Sequence, residues 1–196
     1  MTQLTPQEVL DFWFLPASNE GYGKPRDEWF RKDARFDAAI AHRFGATIAQ
    51  ALAGGLREWD RDGAHGTLAR ILVLDQFARN AFRGTPASFA GDALALAAAL
   101  ELEAAKADRT LAPMGRWFAY MPFEHAEDAR MQEKSVTLFA ELARENPVDF
   151  AGALDFAHRH RGVIARFGRF PHRNAILGRA PTPDELVFLS QPGSGF

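Results

Sequence analysis

Apolar residues recur along this chain at helical intervals. Phe36, Ile40, Phe44 and Ile48 step by four, Leu68, Ile71 and Leu72 fall three and four apart, and Val136, Phe139 and Leu142 step by three. That spacing lines one face of a helix, and no stretch alternates with the period of two that a strand needs. Thr5-Pro6-Gln7-Glu8 supplies an N-cap, a proline at the first helical position and a glutamate at the third, the elements of a capping box. A helix is predicted to start there and to end at Leu15-Pro16. Thr182-Pro183-Asp184-Glu185 repeats the device near the carboxyl end, and Thr85-Pro86 is a weaker copy. Breakers at Gly54-Gly55, Gly63 to Gly66, Gly84 to Pro86, Pro113, Pro122, Pro147 and Gly168 to Pro171 read as helix ends, not as a domain linker. The pattern therefore predicts an all-α protein of eight or nine helices, forming a single domain over 1–196, with no strict internal repeat.

Composition narrows the chemistry. The chain has 196 residues, 47% of them hydrophobic, enough for one sizeable core. It contains no cysteine, which removes disulfides, thiolate catalysis and cysteine-ligated metals and suits a reducing, cytoplasmic setting. The longest apolar run, Ala93 to Leu100, is too short to span a bilayer, and the first residues show no signal pattern. A net charge of −2 disfavours a nucleic-acid partner, but its distribution is uneven. Between Asp155 and Asp184 there is no carboxylate, while Arg159, Arg161, Arg166, Arg169, Arg173 and Arg179 fall inside, leaving the rest of the chain at −8.

Three polar clusters interrupt the apolar pattern. In the first, Asp75 lies three and four residues beyond Leu72 and Ile71, so it points to the packed face, with Arg79 one turn on and Asn80 placed to cap the helix exit. The second, Tyr120 to Asp128, sets His125 among Glu124, Glu127 and Asp128, the ingredients of an acid–base pair, with Glu124 or Asp128 to orient the imidazole. Acidic residues in a first helical turn also have a purely structural explanation, if a helix begins after Pro122. No metal-ligand spacing is present, and His158 and His160, two apart on a helix, cannot chelate together. No metal or cofactor is expected. In the third, RFGRFPHRNAILGR, Gly168 can end one helix and Pro171 start another. Arg166, Arg169, His172, Arg173 and Asn174 then surround a candidate anion site.

The strings LDQFARNAFRGTP, YMPFEHAED with MQEKSVTLF, and ARFGRFPHRNAILGR with TPDELVFLSQPGSGF resemble a bacterial family known only as a domain of unknown function. The likeness runs from VLDFWF to the carboxyl terminus. It implies a tetratricopeptide-like array of antiparallel helices and no particular activity. Three expectations follow. One is a binding or adaptor protein whose groove holds an anionic small molecule or peptide through Arg79, Arg166, Arg169, Arg173 and the amides near His172. Another is a small-molecule enzyme using His125. The third is an internal salt-bridge network with no open polar pocket. Whether the chain is an enzyme, and how many copies assemble, stays open at this point.

Overall fold

Helix α1, Pro6–Phe14, starts where its capping box places it: the Thr5 hydroxyl accepts the Glu8 amide and the Glu8 carboxylate accepts the Thr5 amide. A computed structural model describes residues 4–195, so residues 1–3 and 196 of the expected domain lie outside the described residues. Within them the chain is helical and contains no strand. After α1 come α2 (Ala34–Leu52) and a continuous rod formed by α3 (Gly63–Ile71), a π-helical segment (Leu72–Phe77) and α4 (Ala78–Ala81). Then follow α5 (Asp92–Ala104), α6 (Pro113–His125), α7 (Ala129–Glu145), α8 (Pro147–Phe167) and α9 (Pro183–Leu189). Counting the rod once gives eight helices among the described residues.

The rod is central. Helices α1, α2, α5 and α6 all pack on it, and every residue from Leu72 to Phe77 is buried. A π turn widens the backbone, and such insertions cluster at functional positions. Here it accompanies the burial of two consecutive polar residues, Asp75 and Gln76, in a segment whose other members, Leu72, Val73, Leu74 and Phe77, are apolar. Aromatic rings fill that core: Trp13 meets Phe118 edge-on at 5.3 Å and stacks on Trp29 at 5.9 Å. Arg26 donates to the Phe12 and Trp13 carbonyls and Trp29 Nε1 donates to the Trp13 carbonyl, which pins the segment carrying Trp29 and Phe30 against α1.

Helices α6, α7 and α8 form an antiparallel succession. Arg116, early in α6, pairs with Glu145 at the end of α7, while Arg161, late in α8, pairs with Glu133 near the start of α7. One hydrophobic core runs from Val9 to Ala157, and a small satellite of Val163, Ile164 and Phe170 sits under the carboxyl-terminal segment. No helix among the described residues is long and apolar enough to cross a membrane.

Several local expectations need correction. Pro122 does not start a helix; it lies inside α6, which continues to His125. Asp128 is the N-cap of α7, accepting the Arg130 and Met131 amides. Asn80 does not cap its own helix but donates across to Asp37 of α2 at 2.8 Å. The residues after Pro171 make only one 3-10 turn, Pro171–Arg173, and the amides of Arg173 and Asn174 are bonded to the Phe170 and Pro171 carbonyls. They are not the open helix terminus that an amide anion site requires. Gly168 does end α8 in the left-handed conformation, with φ 69°.

Candidate functional site

A cavity of about 310 Å³ opens where the rod, the end of α6, the last third of α8 and the Pro171 turn meet. Its lining combines the apolar Trp29, Phe30, Phe89, Met121 and Ile176 with the polar Gln76, Arg79, His125, His160, His172 and Arg173. Arg83 and Ser88 also reach it. All three polar clusters contribute, although they are separated by long stretches of chain.

Behind the lining, His125 is in contact with the buried Asp75. Asp75 Oδ1 lies 2.7 Å from His125 Nδ1, and the carboxylate is only 1% exposed. Gln76 Nε2 donates to the other carboxylate oxygen, and Arg79 lies 3.6 Å from Oδ1. Burial opposes the charge on Asp75, but Arg79 and His125 together outweigh it and hold the carboxyl well below the usual carboxylate range. Burial, reinforced by the Arg79 charge, keeps His125 below the ordinary histidine value despite Asp75. At neutral pH, therefore, an ionised Asp75 accepts the Nδ1 proton of a neutral His125. The lone pair is then on Nε2. A carboxylate that fixes the tautomer and orientation of an imidazole in this way prepares it as a base.

Around this dyad, Asp92 bridges two guanidinium groups. It accepts from Arg79 Nη1 at 2.6 Å and from Arg173 Nη1 at 3.0 Å. Arg173 Nη2 donates to the His125 carbonyl, tying the Pro171 turn to the end of α6. The Arg173 guanidinium lies 4.7 Å from the Phe89 centroid and 4.6 Å from that of Phe170. Burial and then the neighbouring Arg79 charge bring its pKa down to about 10. Gly91 makes the bridge geometrically feasible. A Cβ there would collide with the Leu74 carbonyl, so only glycine lets the start of α5 approach the π segment closely enough to set Asp92 beside Arg79. His172, desolvated and next to Arg173, is pushed down to about 4 and is neutral.

The other expected residues sit elsewhere or play other parts. Glu124 and Asp128 do not orient His125. Glu124 is buried with its carboxylate 2.9 Å from His160 Nδ1, and Asp128 is an exposed cap. Asn80 is held by Asp37 behind the rod. Arg169 is spent on Glu185, at 2.6 and 2.8 Å, and on the Ala180 carbonyl. Asn174 donates to Glu185 and accepts from Arg179, and Arg166 lies over the Phe167 ring on the surface. The acid-free window is thus answered from outside it, by Asp92, Glu127, Glu133 and Glu185. Sequence reasoning missed His160, Gln76 and Asp92. His160 was set aside as a chelator, and only the fold shows its ring turned to the same cavity as His125. The signals for the others were the odd polar residue beside Asp75 in an apolar run and a Gly-Asp at a helix start.

An all-helical domain with a buried carboxylate–imidazole pair opening on a small mixed cavity is the class that fold and site define. Residues 9–193 match the model of DUF924, described as bacterial protein of unknown function, and the chain belongs to that family. It is similar to the solved structure of a protein of unknown function, ATU0120, from Agrobacterium tumefaciens. The two are 38% identical, the match covers 94% of this chain and 96% of the other, and the TM-score is 0.81. No curated protein matches the chain.

Proposed function

We propose that the cavity receives a small molecule bearing an anionic group and that His125 exchanges a proton with it, making the protein an acid–base enzyme. The observation that carries this reading is the Asp75–His125 contact at 2.7 Å, facing a cavity whose wall also holds Arg79 and Arg173. An imidazole so held needs only a reacting atom within hydrogen-bond reach of Nε2. The two arginines are balanced by Asp92 and by the ionised Asp75 beside Arg79, so what they offer is guanidinium N–H donors at the cavity and not a net charge. Those donors can bind a ligand anion or stabilise negative charge developing beside His125. The aromatic residues of the lining suit the apolar body of such a molecule, and a cavity of about 310 Å³ lies at the small-molecule end of ligand sites.

The size also separates this reading from peptide binding, which uses an extended groove. A structural network alone also fits less well: Arg79 and Arg173 are ion-paired, yet the buried Arg173 Nε has no hydrogen-bond partner and an open polar pocket persists beside them. A thermal-shift screen of small carboxylates and phosphate esters tests the proposal. A ligand at about a hundred times its dissociation constant stabilises the fold by roughly 2.7 kcal/mol. We expect Arg173→Lys to weaken that stabilisation, because a point charge cannot replace a guanidinium held between two rings. His125→Asn is expected to keep the ligand but lose turnover. A screen in which stabilisation by every hit survives Arg173→Lys overturns the assignment.

A further inference from the structure

A second carboxylate–imidazole pair adjoins the cavity through His160. Glu124, one residue before His125 on α6, meets a different partner and lies 4% exposed, with Oε1 2.9 Å from His160 Nδ1. The same Nδ1 is 2.9 Å from the Phe156 carbonyl one helical turn earlier, which fixes the ring relative to α8. Phe170 meets the imidazole edge-on at 5.4 Å and limits its rotation. The His125 and His160 centroids are 6.3 Å apart, tilted by 59°, and both rings line the cavity. At that separation one small molecule can place neighbouring atoms within hydrogen-bond reach of both rings. A carboxyl group buried against a core histidine is costly to maintain for packing alone.

We propose that His160, positioned by Glu124, is a second proton-transfer residue facing His125, so that the site serves an isomerisation in which one proton leaves an enolisable small acid and another is returned to it. His125 Nε2 takes a proton from carbon: the C–H bond breaks, an N–H bond forms, and the electron pair becomes an enolate beside Arg79 and Arg173. His160, protonated from solvent with Glu124 as counter-charge, gives its proton to the oxygen of the enolate, which becomes the enol. The product has the composition of the substrate, nothing is oxidised or reduced, and the proton gained by His125 returns to solvent. This inference rests on the preceding assignment of His125 as the base.

Histidine-selective 15N labelling of the full chain, followed by NMR during titration with inorganic phosphate, tests it. We expect the ring nitrogens of His125 and His160 to move along one saturation curve. In Glu124→Gln the His160 response should be lost or weakened several-fold while His125 still responds. In Asp75→Asn the reverse should hold. Phosphate that moves His125 alone overturns the role of His160 and leaves the first assignment standing. Movement of neither ring overturns both. Should Glu124→Gln not fold, His160→Asn supplies the same decision: a His125 curve unchanged in midpoint and affinity means that the rings do not share a ligand, and the inference fails.

Discussion

Two ion networks, both built from the Arg166–Arg179 stretch, lie side by side in this molecule and differ in what they enclose. Around Glu185 the network is closed. Arg169 and Asn174 converge on that one carboxylate, which also accepts the Thr182 amide, while Arg179 bonds Asn174, Glu127 and the Phe170 carbonyl. Around Asp92 the network is open. Arg79 and Arg173 share one carboxylate, and a cavity with three imidazoles adjoins them. The same residue types thus tie helices together in one place and line a pocket in the other. The difference lies in the neighbours: the Glu185 group is met by a capping box, whereas the Asp92 group meets aromatic rings and an imidazole.

The largest expected effect tests the closed side. Replacing Glu185 with alanine leaves Arg169 and Asn174 without their shared acceptor and removes half of the Thr182 capping box. We expect the melting temperature to fall by about 10 °C, the scale of losing a buried charged network in a domain of this size. The response of His125 to phosphate should survive in the folded fraction. Loss of that response with no fall in melting temperature would reverse the roles assigned to the two networks.

Acid should take the two networks apart in sequence. An unfolded His172 binds a proton as pH falls through about 6.5, whereas the folded residue resists until about 4. The unfolded state therefore holds the extra proton in that interval, and stability falls as pH drops from about 6.5 to 4, by about 3 kcal/mol in all. His125, also held below its ordinary value, adds to the same loss. Glu185 adds a loss in the same direction but at lower pH. The hydrogen bonds from Arg169 outweigh its burial and hold it at about 2, so its contribution is intact above about 4.5 and lost only as pH falls from there to about 2. Denaturant midpoints measured across pH should show the first loss diminished in His172→Asn and the second abolished in Glu185→Gln. A single transition near pH 4.5, unchanged in His172→Asn, would contradict this order.

A smaller change is expected from Asp75→Asn, which keeps the shape of the side chain but removes the charge that fixes the His125 tautomer. Arg79 retains Asp92, so the stability cost should stay near 1–2 kcal/mol. Turnover on any substrate found should drop far more than binding, because the base is disoriented while the arginines stay in place. Equal losses in binding and turnover would assign Asp75 to holding the cavity wall alone.

Much of the frame was legible in the chain. Both capping boxes and the Gly168 exit follow from local rules that act over four residues and appear as expected, whereas Pro171 starts only a single 3-10 turn in place of a helix. The inward direction of Asp75 followed from its offset from Leu72. What could not be read was pairing across the fold. His125 is surrounded in sequence by Glu124, Glu127 and Asp128, yet its partner is Asp75, fifty residues earlier, because α6 runs unbroken through Pro122 and presents Glu124 and His125 to different neighbours. The arginine stretch looked like one site because its acids are remote in sequence. Tertiary contact with Asp92, Glu127 and Glu185 divides it into an open network and a closed one.

The smallest expected effect completes the division. Arg166 belongs to neither network: it is exposed, and its guanidinium lies 4.6 Å from the Phe167 centroid. With Arg159, Val163 and Phe188 it borders a shallow surface groove away from the cavity. A cation–π contact at an exposed position contributes about 0.5–1 kcal/mol, and the long side chain recovers entropy when released. Arg166→Ala should therefore change stability by no more than about 0.5 kcal/mol and leave the phosphate response of both imidazoles untouched. The neighbouring Arg173→Ala, by contrast, unties Asp92 and the His125 carbonyl together. If Arg166→Ala weakened phosphate binding as much as Arg173→Ala, the anion would be drawn by the summed charge of the stretch, and the open network around Asp92 would lose its claim to be the site.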